Sequence, residues 1–204
     1  VEAMPKKPLP LYVHPCVFKA NRYLKVGEIR VKFPPADRAA WEKAGAEIVE
    51  SPGPSLFAGG TVLFLGEVER LTDFEKGMPN AYYEAEGEER WDPIEDDTAI
   101  AVNLRGRGLV VLSGCSHSGI VNTVAYARKV TGVDTVHMVM GGFHLTGPAF
   151  EPAIRPTMEG LRGFGPDYVI PTHCTGRKAI MAMEEAFGEG FILNMAGTRL
   201  TFRA

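Results

Sequence analysis

Histidine and cysteine are scarce in this chain, five and three residues, so their placement is informative. His117, His144 and His173 each follow an apolar run within a few residues. Two of them have a cysteine close by, in Cys115-Ser116-His117 and His173-Cys174. Neutral imidazole and thiolate are the usual protein ligands of zinc and related metals. The spacing forms no self-contained zinc motif, since C-x-x-C and H-E-x-x-H are both absent. Adjacent residues seldom both ligate, so His117 and His173 are the preferred ligands, with Cys115 and Cys174 as wall residues. A single histidine at a strand end reads as readily as a structural one. Three repeats of the arrangement favour a site. His137 lies inside an apolar run and reads as buried, His14 as structural, and Cys16 as a small hydrophobe. No G-x-S-x-G elbow and no Walker loop is present.

The elements that must position these residues follow from the pattern. Leu109–Leu112, Thr135–Met140 and Tyr168–Ile170 read as buried strands, each ending in a polar or glycine-rich loop. Chemistry gathers at the carboxyl ends of strands in open α/β folds. Thr98–Leu104 and Leu109–Leu112 flank Arg-Gly-Arg-Gly and read as a hairpin. Helices are expected from Ile120, over Glu151–Arg162 and over Arg177–Phe187, with Ser118 and Thr175 as caps of the first and last. Pro156 is expected to limit or kink the middle one. Upstream, Leu11–His14, Glu28–Phe33, Ala46–Val49 and Thr61–Leu65 read as strands, Cys16–Leu24 as a short helix, and Asp37 as the start of another. Residues 73–97 are rich in Glu and Asp and read as irregular, either a lid or a solvated acidic excursion. Phe191–Met195 and Arg199–Phe202 read as closing strands.

Two helix starts adjoin the edge, after His117 and after Thr175. Free N–H groups and the helix dipole attract anions there, and Arg177 and Lys178 add positive charge. A phosphate-bearing small-molecule substrate is expected; the alternative is a solvated first turn.

With 204 residues, 45% apolar and 23% charged, the chain suits one soluble domain. A net charge of −3, without a long basic run, gives no indication of nucleic-acid binding. No stretch approaches the ~20 apolar residues of a membrane span. The odd cysteine count forms no disulfide framework and points to a reducing cytoplasm.

The segments LVVLSGCSHSGIVNT, MGGFHLTG and PTHCTG, in this order, resemble the metallo-β-lactamase fold superfamily. They are most similar to the branch containing 7,8-dihydropterin-6-methyl-4-(β-D-ribofuranosyl)aminobenzene-5'-phosphate synthases of methanopterin biosynthesis. FLGEVERLTDFE and Asp96-Asp97 resemble that branch too, and the resemblance covers nearly the whole chain. It implies an α/β (α+β) fold, an αββα sandwich with one or two metal ions at the strand ends. It implies His117 and His173 as ligands and His144 beside metal or substrate, while Glu67, Asp97 and Cys115 support the ligands from behind. The implied cofactor is a divalent metal, zinc foremost, with magnesium, manganese and iron as alternatives.

The superfamily's His-x-His-x-Asp-His loop is absent from the sequence. The expectation is that it belongs N-terminal to Val1, so that residues 1–204 form a single domain lacking that segment. A natural variant without the loop is the other reading. An incomplete sandwich would expose apolar surface and associate with another copy or with the missing piece. The implied function is that of a metal-dependent hydrolase or transferase: transfer of a pterin-methyl group with loss of diphosphate, or hydrolysis of a phosphoester. The alternative is a non-catalytic binding or assembly module.

Overall fold

In chain order the strands are β1 (Leu9–Val13), β2 (Arg22–Val26), β3 (Ile29–Lys32), β4 (Ala46–Glu50), β5 (Ser55–Phe57), β6 (Val62–Phe64), β7 (Ala81–Ala85), β8 (Glu88–Trp91), β9 (Ala99–Leu104), β10 (Gly108–Ser113), β11 (Val136–Gly141) and β12 (Tyr168–Pro171). The helices are α1 (Arg38–Lys43), α2 (Ile120–Thr131), α3 (Ile154–Phe164) and α4 (Arg177–Phe187). They come from a computed structural model that describes residues 8–202.

Six strands form the main sheet in the order β12-β11-β10-β9-β6-β5. β9 and β10 pair antiparallel around the Arg105–Arg107 turn, and β11 and β12 add in parallel. Alternation sends Leu109 and Val111 to one face. There they are fully buried with Ile120 and Val124 of α2, Leu161 of α3 and Met183 of α4. Each such side chain contributes about 1.5–3 kcal/mol by leaving water. On the opposite face the ring of Tyr12 stacks on Phe57, with centroids 4.9 Å apart, and leans towards Phe64. Tyr12 belongs to the small parallel sheet β1-β4, against which α1 lies. The layers therefore run helices, large sheet, small sheet, helix, which is the expected αββα order with a thin second half. Asp37 caps α1 by accepting from the Ala40 amide at 3.0 Å.

Three upstream and terminal expectations are corrected. Residues 16–24 are not a helix. Pro15–Phe18 make a single 3-10 turn, with the amide of Cys16 donating to the His14 ring. Asn21 then adopts φ 55°, and the chain enters β2. The acidic stretch is irregular only at its two ends, residues 73–80 and 92–97. β7 and β8 form a hairpin whose two-residue loop, Glu86-Gly87, has φ 56° and 80°, the sense of a type I′ turn. The hairpin completes a four-stranded sheet, β3-β2-β7-β8. Phe191–Met195 and Arg199–Phe202 are not strands; Phe191 makes one isolated bridge to Val169, and the chain then turns at Met195–Thr198. Pro156 does not kink α3, because a separate 3-10 turn over Glu151–Ala153 leaves it in the first helical turn, where no amide is required.

The segment after the hairpin is pinned by two cations of the β2 region. Arg22 donates to both carboxylate oxygens of Asp96 at 2.7 and 2.8 Å and to Asp92 at 2.6 Å. Lys19 reaches Asp92 and Glu95 at 3.1 and 2.7 Å. Removing Arg22 would leave Asp92, with a side chain only 3% exposed, without its guanidinium. Arg22→Met is expected to cost about 3 kcal/mol or more in a denaturant titration, and a change near zero would show that the pairing is incidental.

Candidate functional site

β10, β11 and β12 run parallel, so their carboxyl ends open on the same edge. The loop after β10 carries Cys115 and His117, the loop after β11 carries His144, and the loop after β12 carries His173 and Cys174. Gly142 lets the two outer loops close over the middle strand. A Cβ there would lie 2.5 Å from the Cys174 sulfur and 2.8 Å from the His173 Nε2. The ladder continues beyond the strands, with Gly142 N–H donating to Gly114 O and Thr172 N–H to Gly141 O, both at 2.8 Å.

The side chains gather in two groups. In the first, Cys115 Sγ is 3.0 Å from His173 Nε2. The donor atoms of Cys115, His173 and Cys174 all lie within 4.8 Å of one another. Thr172 Oγ1 contacts the other ring nitrogen of His173 at 3.0 Å. Burial pushes the Cys115 thiol up to about 11, with Cys174 adding to the effect. In the second group, the His117 and His144 rings meet edge to face with centroids 4.7 Å apart, and His144 meets Phe150 likewise at 4.8 Å. Burial lowers both imidazoles, His144 to about 4, where His117 and His173 contribute further. His144 Nδ1 is buried without a hydrogen-bond partner, and His144 holds φ 45°. Such strain and such an orphaned atom are typical of functional loops. Cys115, His117 and His144 share the wall of a cleft of about 850 Å³ with Arg22, Asp97 and Trp41.

His173 therefore sits among both cysteines, which stand with it as donors in space. His117 lies outside that trio, against His144. Asp97 is buried, and its carboxylate accepts from the Ser118 amide at 2.8 Å, bracing the His117 loop. Glu67 is exposed and engages its neighbours through its amide, which donates to Pro52 O. Arg177 and Lys178 are exposed, and Lys178 pairs with Glu151 at 2.6 Å.

Neither expected side-chain cap is used. The N-cap positions are Gly119 and Gly176, with φ 95° and 86°, a backbone sense that disfavours any side chain. Thr175 instead accepts from the Phe143 amide at 3.2 Å. The start of α2 is also closed to an external anion. The amides of Val121 and Asn122 donate to the two oxygens of Glu75 at 3.0 and 2.8 Å. Glu75 was not among the expected site residues. Its one local signal is Thr72-x-x-Glu75, a capping-box spacing. No helix follows that spacing, so it does not point to α2.

Two thiols and an imidazole within ligating reach suit zinc or a similar soft-to-borderline ion. The orphaned His144 nitrogen shows that the adjoining pocket has hydrogen-bonding or ligating capacity to spare.

No protein-family model matches the chain. In fold, the chain is similar to Tm1679, a metal-dependent hydrolase of the β-lactamase superfamily, with a TM-score of 0.79, 24% identity, and coverage of 96% of this chain and 72% of that one. This likeness and the layer order define a metallo-β-lactamase fold. In sequence, the chain is 32% identical over 204 residues to the 7,8-dihydropterin-6-methyl-4-(β-D-ribofuranosyl)-aminobenzene-5'-phosphate synthase of Methanocaldococcus jannaschii, covering 96% of this chain and 67% of the synthase. It is 27% identical over 168 residues to an uncharacterized protein of the same organism, covering 82% of this chain and 57% of that protein. The chain belongs to the metallo-β-lactamase-fold family of that synthase.

Two consequences can be measured. Gly142→Ala forces a methyl group into the His173–Cys174 loop and is expected to cost about 1–3 kcal/mol and to raise the reactivity of Cys115 and Cys174 towards a thiol reagent. Unchanged stability and reactivity would show that the loops have room to spare. The second concerns pH. Burial raises the Glu75 carboxyl from 4.5 to about 7, against the lowering by the Val121 and Asn122 amides and the Thr72 hydroxyl. A carboxyl with a higher pKa folded than unfolded favours the fold while protonated. That contribution is complete below the unfolded value and is lost as pH rises through the folded one. The stability of the protein relative to Glu75→Gln is therefore expected to decline between pH 4.5 and about 7. A difference constant over that window would contradict burial as the dominant influence.

Proposed function

We propose that this chain forms the metal edge and substrate cleft of a metal-dependent enzyme acting on a phosphate-bearing small molecule. The observation that carries the reading is the convergence of His173 and Cys174 on Cys115, which shares the wall of the cleft with His117 and His144. His117 and His173 are assigned as metal ligands, and the two thiols stand close enough to His173 to share the ion. When bound, a divalent ion supplies positive charge that polarises a phosphate oxygen and activates water.

The chain's own residues provide the setting. Asp97 fixes the His117 loop through the Ser118 amide. His144, lowered to about 4, stays neutral near pH 7 and offers a ring nitrogen rather than a charge. Arg177 remains exposed next to the His173 loop, where it can meet a phosphate. The similarity to a ribofuranosylaminobenzene-phosphate synthase supports a substrate of that kind, and transfer of a pterin-methyl group with loss of diphosphate is the specific reaction proposed. No helix among the described residues is long and apolar enough to cross a membrane, and all three cysteines are free. The free cysteines support a reducing cytoplasm as the proposed working compartment.

Elemental analysis of the purified protein is expected to find zinc or another divalent metal, with content lost or strongly reduced in His117→Ala and His173→Ala. Content unchanged in both variants would remove the ligand assignment. Incubation with a dihydropterin diphosphate and a ribofuranosylaminobenzene phosphate acceptor is expected to yield the coupled product. Release of phosphate or diphosphate without coupling would place the activity with hydrolysis instead.

A further inference from the structure

Glu75 is a buried carboxylate, 8% exposed, and among the described residues no lysine or arginine pairs with it. Its oxygens are occupied by the first amides of α2, Val121 and Asn122. Asn122 returns the contact. It is fully buried, its Oδ1 accepts from the amides of Leu71 and Thr72 at 2.9 Å each, and its Nδ2 donates to Glu75 O at 3.2 Å and Ser118 O at 2.8 Å. Thr72 Oγ1 in turn accepts from the Glu75 amide at 3.1 Å. Residues 71–75 and the start of α2 are thus locked together by reciprocal bonds between elements distant in sequence.

The lock bears directly on His117. The residue follows Ser116, in a left-handed conformation at φ 53°, and lies within the turn closed by Gly119 N–H donating to Ser116 O at 2.9 Å. Upstream the loop is fixed by the sheet and by the Ser116–Ser113 hydroxyl pair at 2.7 Å. Downstream its supports are Asp97 on the Ser118 amide and Glu75 on α2. Gly119 is also shaped to Glu75, since a Cβ there would lie 2.2 Å from the carboxylate. Residues 74–78 line, with His117 and His144, a small pocket behind the two rings.

We infer that Glu75 is a positioning residue: by capping α2 from a distant segment it sets the place and orientation of the His117 ring. The role rests on the reading of His117 as a functional side chain of this edge. A glutamine at position 75 keeps the shape but can accept from only one of the two amides with its oxygen, while its NH2 group faces the other donor. The helix start then shifts or frays, and the imidazole three residues ahead of it moves.

The test is the histidine-ring proton–nitrogen NMR spectrum of the full chain, comparing wild type with Glu75→Gln and Glu75→Asp. His14 and His137, remote from the lock, serve as internal references. The expected result is a displaced or broadened His117 signal in Glu75→Gln with the reference signals unchanged. Glu75→Asp keeps the carboxyl group but falls one methylene short, so it is expected to behave the same way, and it decides the matter if the glutamine variant fails to fold. His117 signals that coincide with wild type in a folded variant, even one of lowered Tm, would overturn the inference and leave Glu75 a stabilising cap. In parallel, cobalt(II) titration is expected to show affinity about 10-fold weaker in Glu75→Gln, the scale found for residues supporting a ligand. Wild-type protein that takes up no cobalt would count against the metal reading alone, because the His117 signal still decides the positioning role.

Discussion

The loops after β10 and β12 meet because the residue between them has no side chain. Neighbouring strands are spaced about 4.8 Å apart, so two strands flanking a third begin their loops roughly twice that distance from each other. Closing the gap requires both loops to fold across the end of the middle strand. Gly142 stands there, and the Cys174 thiol and His173 ring fill the volume that any larger residue would take. The two amide bonds that extend the ladder, at Gly142 and Thr172, hold the loops in register with the sheet. The 3.0 Å approach of Cys115 to His173 follows from that closure, as does the turn that delivers His144 against His117.

Around this edge the structural braces are largely carboxylates committed to internal partners. Arg22 holds Asp92 and Asp96, and the next residue, Asp97, holds the Ser118 amide. One short segment therefore ties the β2 region to the loop that carries His117. Its charges serve the cleft by fixing the wall rather than by facing solvent. Glu75 works in the same way on α2. Because each brace joins elements far apart in sequence, the loops of the edge are positioned by the whole fold and not by their own local preferences.

This non-local character explains what could be read in advance. Continuous apolar runs identified β10, β11 and β12 and the edge they share, because burial on both faces leaves a one-dimensional signature. Asp37 was legible as a cap because its partner amide is three residues away. The β7–β8 hairpin was not, since its glutamates, Glu84, Glu88 and Glu89, have weak strand preference and outweigh the signal of Tyr82, Tyr83 and Trp91. Their support comes across strands, from Arg30 and Lys25 to Glu84 and Glu89. Ser118 and Thr175 looked like caps because they are the nearest polar side chains to the helix starts. Glycines with positive φ take those positions, and Thr175 is engaged by the next loop over. Glu75 caps a helix 45 residues further on, a relation no local pattern contains. The grouping of Cys115 with a histidine 58 residues away is equally invisible to spacing rules.

The commitment of the carboxylates also shapes what the edge can bind. Asp96 is taken by a guanidinium and Asp97 by an amide, while Glu67 is exposed elsewhere. Among the described residues, the side chains gathered at the strand ends are imidazole and thiol. Hard cations such as magnesium rely on several oxygen ligands, whereas zinc accepts nitrogen and sulfur. On the proposed metal reading, selection at such an edge would rest on donor type more than on accumulated negative charge. The fold reaches that condition by using its acids as struts, which leaves the softer side chains at the mouth of the cleft.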